Sequence, residues 1–237
     1  MPHPLDNPFW TALTTRQASI AEGGDRARRY PAPIGPLAGI ADNSPESWAA
    51  LASLARANEP VAVFTPDPVA PPPGLQIVMA AMGDQMIGTP ADAAGVADIA
   101  KLGDADAPQM LALADLTKPG PFGPRTHELG NFFGIRIDGR LVAMTGERAK
   151  PAAYTEMTAV CVDPAYRGRG FAQALLSHVA KQILARGEIP FLHVFADNAS
   201  AIALYRRQGM TLRRRFHVTV LAPEGAEVPS SALPHGH

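Results

Sequence analysis

One stretch constrains this chain more than any other: Val160 to Ala172, VCVDPAYRGRGFA. It opens apolar and β-branched, as a buried strand does. It turns at Asp163-Pro164, then passes through Arg167-Gly168-Arg169-Gly170 into an Ala-, Leu- and Gln-rich helical pattern. A strand feeding a glycine-rich turn and then a helix N-terminus is a site for phosphate. N–H groups in the turn and first helical turn have no intrahelical partner, and the helix dipole adds partial positive charge. Glycine lets the backbone approach a ligand where a Cβ would block it.

Three ligands compete for such a turn. A dinucleotide fingerprint needs G-x-G-x-x-G; Gly168 and Gly170 fit, but Gln173 stands at the third glycine. A phosphate P-loop needs Gly-Lys-Ser/Thr, which does not follow. A pyrophosphate cradle of the acyl-CoA type needs only successive N–H groups, which Arg167 to Ala172 supply.

The rest of the chain sets limits. With 237 residues there is room for one large domain or two modest ones. A net charge of −1 argues against wholesale nucleic-acid or membrane binding. The single cysteine, Cys161, excludes a disulfide framework and is compatible with a reducing compartment. The segment MPHPLDNPFW has no basic and apolar regions of a signal peptide, and no apolar run reaches membrane-spanning length. The expectation is a soluble, cytoplasmic protein. No Cys/His cluster has metal-ligand spacing, so no metal is expected.

Taken in order, Asn7–Ala21 reads as a helix and Tyr30–Ile40, interrupted by three prolines, as irregular extended chain. Ser44-Pro45-Glu46 starts a helix, with Ser44 as cap and Pro45 at the first helical position. Strands are expected at Val61–Phe64 and Leu75–Met82, with a proline-rich connector between them. A boundary falls near Gly88–Gly95. A strand at Val96–Leu102 and a helix from Asp104 follow. Thr117–Thr126 is a long, stiff loop of the kind that is more often functional than not. Asp138-Gly139, between Phe132–Ile137 and Arg140–Met144, is a hairpin turn. Thr155–Val162, a helix Gly170–Ala185, Phe191–Phe195, a short helix Asn198–Arg207 and Thr211–Leu221 complete the pattern. Pro223–His237 has the composition of a flexible tail.

Val162-Asp163-Pro164 with Arg167-Gly168-Arg169-Gly170-Phe171-Ala172 resembles the acyl-CoA signature of the GNAT superfamily of N-acetyltransferases, Arg/Gln-x-x-Gly-x-Gly/Ala. One strand later, Asn198-Ala199-Ser200-Ala201-Ile202-Ala203-Leu204-Tyr205-Arg206-Arg207-Gln208-Gly209-Met210 resembles the family's Asn-…-Leu-Tyr-…-Gly-Phe element, with Met210 for the common Phe. The resemblance covers roughly Val96 to Leu221. It implies an α/β fold with a mixed, mostly antiparallel sheet flanked by helices (residues 93–222). The boundary signals and composition place before it a smaller α/β domain (1–92), a degenerate relative of the same fold or a lid and packing module, and after it a tail (223–237).

For function, the resemblance implies acetyl transfer from acetyl-CoA to a primary amine of a small molecule or peptide by direct attack. The cofactor-binding residues it implies are Val160, Val162, Arg167, Gly168, Arg169, Gly170, Phe171, Ala172 and Asn198. The pyrophosphate sits on the turn, the acetyl carbonyl takes a strand N–H, and Asn198 bonds the pantetheine arm. Tyr205 protonates the leaving thiolate, its phenol having an ordinary pKa of ~10; a packing role on its helix is the alternative.

The attacking amine must lose a proton. Glu156 is the candidate base, on the assumption that it shares a face with Thr158 and Val160, a parity that a strand bulge would break. Glu147 and a water relay are alternatives, as is pairing of either carboxylate with Arg148 or Arg140. His193 could line the acceptor pocket or be a satisfied core histidine. His127, with Arg125 and Glu128, belongs to the segment expected over the acceptor site. Arg213-Arg214-Arg215 reads as a solvated strand edge. No nucleic-acid or membrane partner is expected, and a homodimer is compatible. A non-catalytic acyl-CoA-binding module and an enzyme using a longer acyl-CoA are the competing functions.

Overall fold

Proline and serine placement starts the helices where the sequence puts them. In the structure, a computed structural model describing residues 3–70, 72–92 and 98–228, the Ser44 side chain accepts from the Ser47 N–H and Pro45 opens α2 (Pro45–Leu54). The first helix, α1 (Pro8–Thr14), is shorter than its apolar pattern predicts. Thr14 and Thr15 return their hydroxyls to the Trp10 and Thr11 carbonyls, which competes with further helix, and a 3₁₀ turn at Ala18–Ile20 follows. In the next stretch Pro31, Pro33 and Pro36 confine regular structure to the flanks. There β1 (Glu22–Gly23), β2 (Ala27–Arg29) and β3 (Ala38–Ile40) form a small antiparallel sheet.

The main sheet has eight strands: β4 (Val61–Thr65), β5 (Leu75–Ile87), β6 (Ile99–Leu102), β7 (Phe132–Ile137), β8 (Arg140–Glu147), β9 (Tyr154–Val162), β10 (Ile189–Phe195) and β11 (Thr211–Pro223). Their spatial order is β4-β11-β5-β10-β9-β8-β7-β6, antiparallel everywhere except β10 on β9. This is the mixed, mostly antiparallel sheet the sequence implies. It draws strands from both sides of residue 92, where the division into two domains was expected. β5 pairs with β11 along its length and with β10 over its C-terminal half. Residues before β4 dock on it through the Ala62 N–H to the Pro36 carbonyl (2.7 Å).

Three further helices cover the sheet: α3 (Ala107–Thr117), α4 (Phe171–Ala185) and α5 (Ala199–Arg207). Leu175, Leu176, Val179 and Ile183 of α4 are fully buried against Val142, Met157 and Leu192, each such side chain contributing roughly 1.5–3 kcal/mol. Met110, Leu113 and Ala114 of α3 pack on Leu141, Met144, Ala159 and Cys161, the opposite face of β9. Of the expected strand Val96–Leu102, positions 96 and 97 lie outside the described residues, as do positions 229–237 of the expected tail. No helix among the described residues is long and apolar enough to cross a membrane.

Candidate active site

The two neighbouring parallel strands part company halfway. β10 pairs with β9 at Ile189, Pro190 and Phe191 and no further, although both strands run on. A bulge fixes what β9 presents to the gap. Opposite β8, Met144 pairs with Cys161 and Gly146 with Thr158, so Ala159 and Val160 share one partner position. Ala159 sits in the left-handed region at φ 52°. Before the bulge Glu156 bonds to the β8 side, its N–H to the Ala149 carbonyl; after it, Asp163 does, its N–H to the Val142 carbonyl. Even positions therefore face β8 before the bulge and odd ones after it. Strand alternation then turns the Val160 and Val162 N–H groups toward the gap. The gap is a cleft of about 710 Å³, walled by both strands, the turn at 166–173, α5 and the loop 117–121.

The glycine-rich turn supplies the donors. The Arg167 N–H is taken by the Pro164 carbonyl (3.4 Å), and the first helical bond is Ala174 N–H to the Gly170 carbonyl. Among the described residues the N–H groups of Gly168 to Gln173 have no acceptor, so the free row starts one residue later than the sequence reading placed it. Gly168 and Gly170 hold φ of 77° and 78°, which β-carbon-bearing residues rarely adopt. Asp163 fixes the turn by accepting from the Ala165 N–H and from Arg140 (2.6 Å). Arg167 and Arg169 are exposed on the cleft rim, Arg169 lying over the Tyr166 ring at 4.9 Å. Six free N–H groups at a helix N-terminus, flanked by two arginines, fit the diphosphate of an acyl-CoA.

Asn198 caps α5 through its carbonyl oxygen, which accepts from the Ala201 N–H and the Ser200 hydroxyl, both at 3.0 Å. That leaves its amide hydrogens for the cleft it lines. Tyr205 also lines the cleft and is otherwise buried in the α4 core. Its hydroxyl has no hydrogen-bond partner among the described residues. Burial pushes its phenol above the ordinary value, so it enters any reaction protonated.

The two carboxylates are placed differently from the sequence reading. Glu156 is 0 % exposed and forms no part of the cleft wall. The bulge breaks the parity that was to have aligned it with Val160: Met157, Val160 and Val162 share the α4 face, and Glu156 lies on the other. Arg148 grips its carboxylate through two bonds (2.9 and 2.6 Å), the Ala149 N–H adds a third, and His193 Nδ1 stands at 2.7 Å. Burial alone would raise its pKa; Arg148 and His193 outweigh burial and hold it at about 2. Such a carboxylate accepts a proton poorly at neutral pH. Glu147 is equally buried and ion-paired to Lys150 (3.1 Å) and Arg186 (2.8 Å), not to Arg148 or Arg140.

His193 does line the cleft, and it is also satisfied, as both sequence alternatives had it. Phe9, Phe64, Phe191 and Phe216 surround its ring at 4.8–6.2 Å. His127 and Arg125 turn elsewhere, to Asp104 and Glu128, and do not line the cleft. Arg213, Arg214 and Arg215 lie on β11, an interior strand, paired with Asp6 and Asp84. Sequence reasoning missed the wall formed by Leu37, Ala62, Phe64, Gly83 and Val218. Its only signal is apolar character in strands that need tertiary pairing to come near the site. No cluster able to hold a metal occurs among the described residues.

A profile of the acetyltransferase (GNAT) family matches residues 107–210. A solved structure of a GNAT-family protein from Novosphingobium aromaticivorans is 41% identical, with a TM-score of 0.86, covering 94% of this chain and 100% of that one. The chain belongs to the GNAT family of acetyltransferases. It is also similar to the N-alpha-acetyltransferase RimI of Mycobacterium tuberculosis, 39% identical over 94 residues, 37% of this chain and 58% of that one. A [ribosomal protein bS18]-alanine N-acetyltransferase of Salmonella typhimurium is 38% identical over 79 residues, 32% of this chain and 52% of that one. The chain thus spans about half the length of these curated relatives.

Proposed function

We propose that the protein transfers an acetyl group from acetyl-CoA to a primary amine of a small molecule or peptide, by direct attack. The observation that carries this is the free row of N–H groups from Gly168 to Gln173, opening on a cleft that reaches the Val160 and Val162 N–H groups. The row binds the diphosphate, with Arg167 and Arg169 adding charge. Asn198 donates to the pantetheine arm. A strand N–H in the gap holds the acetyl carbonyl and strengthens its bond as negative charge develops on that oxygen. Tyr205 gives its proton to the departing sulfur. Glu156 acts as a positioning residue, fixing Arg148 and His193 on the cleft wall. The names of the relatives favour an α-amino group as acceptor. Release of CoA thiol across a panel of amines tests the reading; saturable acetyl-CoA binding with no amine acetylated contradicts it and favours a non-catalytic acyl-CoA-binding module.

A further inference from the structure

No group on this cleft is set to take a proton from an ammonium. Glu156 and Glu147 are each held by buried or half-buried cations, away from the wall. His193 is the remaining candidate, and its neighbours fix its protons. Gln85 Oε1 accepts from Arg213 (2.9 Å), and its Nε2 donates to the Leu5 carbonyl (3.0 Å), which settles the amide's orientation. The same Nε2 stands 3.0 Å from His193 Nε2, so that ring nitrogen must accept. His193 Nδ1 is then the donor, to Glu156 Oε1. A proton added at Nε2 would set two donors face to face.

The lock is anchored at both ends. Asp6 takes Arg213 at 2.7 Å and Arg214 at 2.9 Å, and Arg148 holds Glu156. The nearby carboxylate of β5, Asp84, is taken by Arg215 at 2.6 Å. The charged residues lining the cleft are Lys118, Arg148, Arg167, Arg169 and Arg207, with no Asp or Glu among the described ones. With the diphosphate on Arg167 and Arg169 and Glu156 on Arg148, the wall offers no free carboxylate to hold an ammonium, which favours the uncharged amine. Leu37, Ala62, Phe64 and Val218 make part of the wall apolar.

We propose that this protein supplies no base and takes its acceptor already uncharged, which selects weakly basic α-amino groups flanked by an apolar substituent over polyamines and lysine side chains. The proposal rests on the acetyl-transfer reading above. In the step, the amine lone pair forms the C–N bond and the C–S bond breaks. Tyr205 gives its proton to the departing sulfur, the nitrogen sheds one N–H proton to water, and water returns a proton to the Tyr205 phenolate, so nothing further is consumed.

Two acceptors of one shape and different basicity test it: phenylalanine amide and phenethylamine. An α-amino group titrates near ~7.7–8.0 and an alkylamine near ~10.4. The acidic limb of log kcat/KM against pH then lies about 2.5 pH units higher for phenethylamine, and phenylalanine amide is favoured roughly 300-fold at pH 7 on ionisation alone. Limbs at one common pH for both amines overturn the proposal, because an enzyme group would then set them. Transfer to neither amine by a protein that binds acetyl-CoA counts against the activity, and a second measurement then judges this proposal alone. Nitrogen-15 spectra of histidine-labelled protein at pH 7.5, assigned through the β10 backbone, should show His193 with its proton on Nδ1. A proton on Nε2 overturns the lock.

Discussion

Replacing Glu156 by Gln removes the charge at the centre of the buried cluster while keeping its shape. The carboxyl's pKa falls from 4.5 to about 2 on folding, and the difference of about 2.5 units corresponds to about 3 kcal/mol. The sign follows from the direction. A group whose pKa is lowered in the folded state stabilises fully above its unfolded value, and that contribution disappears as pH falls from about 4.5 toward 2. The Gln side chain accepts through one oxygen only, and its NH₂ faces the guanidinium of Arg148, itself buried. Losing one partner of such a pair costs about 3–5 kcal/mol. Urea unfolding of both proteins at several pH values reads this out. Glu156→Gln should be about 3 kcal/mol less stable from pH 7 down to about 5, and the gap should shrink by more than half by about pH 3. Equal stability at pH 7, or a gap independent of pH, would refute the reasoning.

Other outcomes follow from the cleft. Tyr205→Phe should lower turnover by roughly 10² to 10⁴ while leaving acetyl-CoA affinity near that of the native protein; an unchanged rate removes the acid role. Gly168→Ala adds a Cβ that meets nothing within 4 Å, so its cost is conformational only. A residue held at φ 77° should lose about 1–2 kcal/mol of stability or weaken acetyl-CoA binding by about tenfold, checked by thermal unfolding and calorimetry. Asn198→Ala loses the α5 cap, worth about 1 kcal/mol, and should raise the KM for acetyl-CoA. Cys161 is fully buried, and burial pushes its thiol up to about 12 despite the Thr117 hydroxyl beside it. Iodoacetamide should therefore not label the folded protein but should label it in urea.

What could be read from the sequence was what is local. The turn from β9 into α4, the capped α5 and the hairpin at Asp138-Gly139, with φ of 50° and 78° as a type I′ turn requires, are all short-range. What stayed hidden depends on distant partners. β5 looked finished at Met82 because Asp84 and Gln85 are polar. They continue the strand because Arg215, Arg213 and His193, more than a hundred residues on, satisfy them. For the same reason the N-terminal strands could not be assigned to the main sheet, since their partner is β11. The bulge rests on one alanine with no turn signal around it, and that single backbone change put Glu156 on the face opposite Val160.

The most direct measurement mixes the protein with acetyl-CoA and phenylalanine amide and follows both products, CoA thiol by colour and N-acetylphenylalanine amide by mass spectrometry. The two should rise one for one, at a rate that saturates with acetyl-CoA and drops sharply in Tyr205→Phe. Saturable binding of acetyl-CoA without acetylated amine, there or with any other primary amine, would contradict acetyl transfer and leave only a binding cleft.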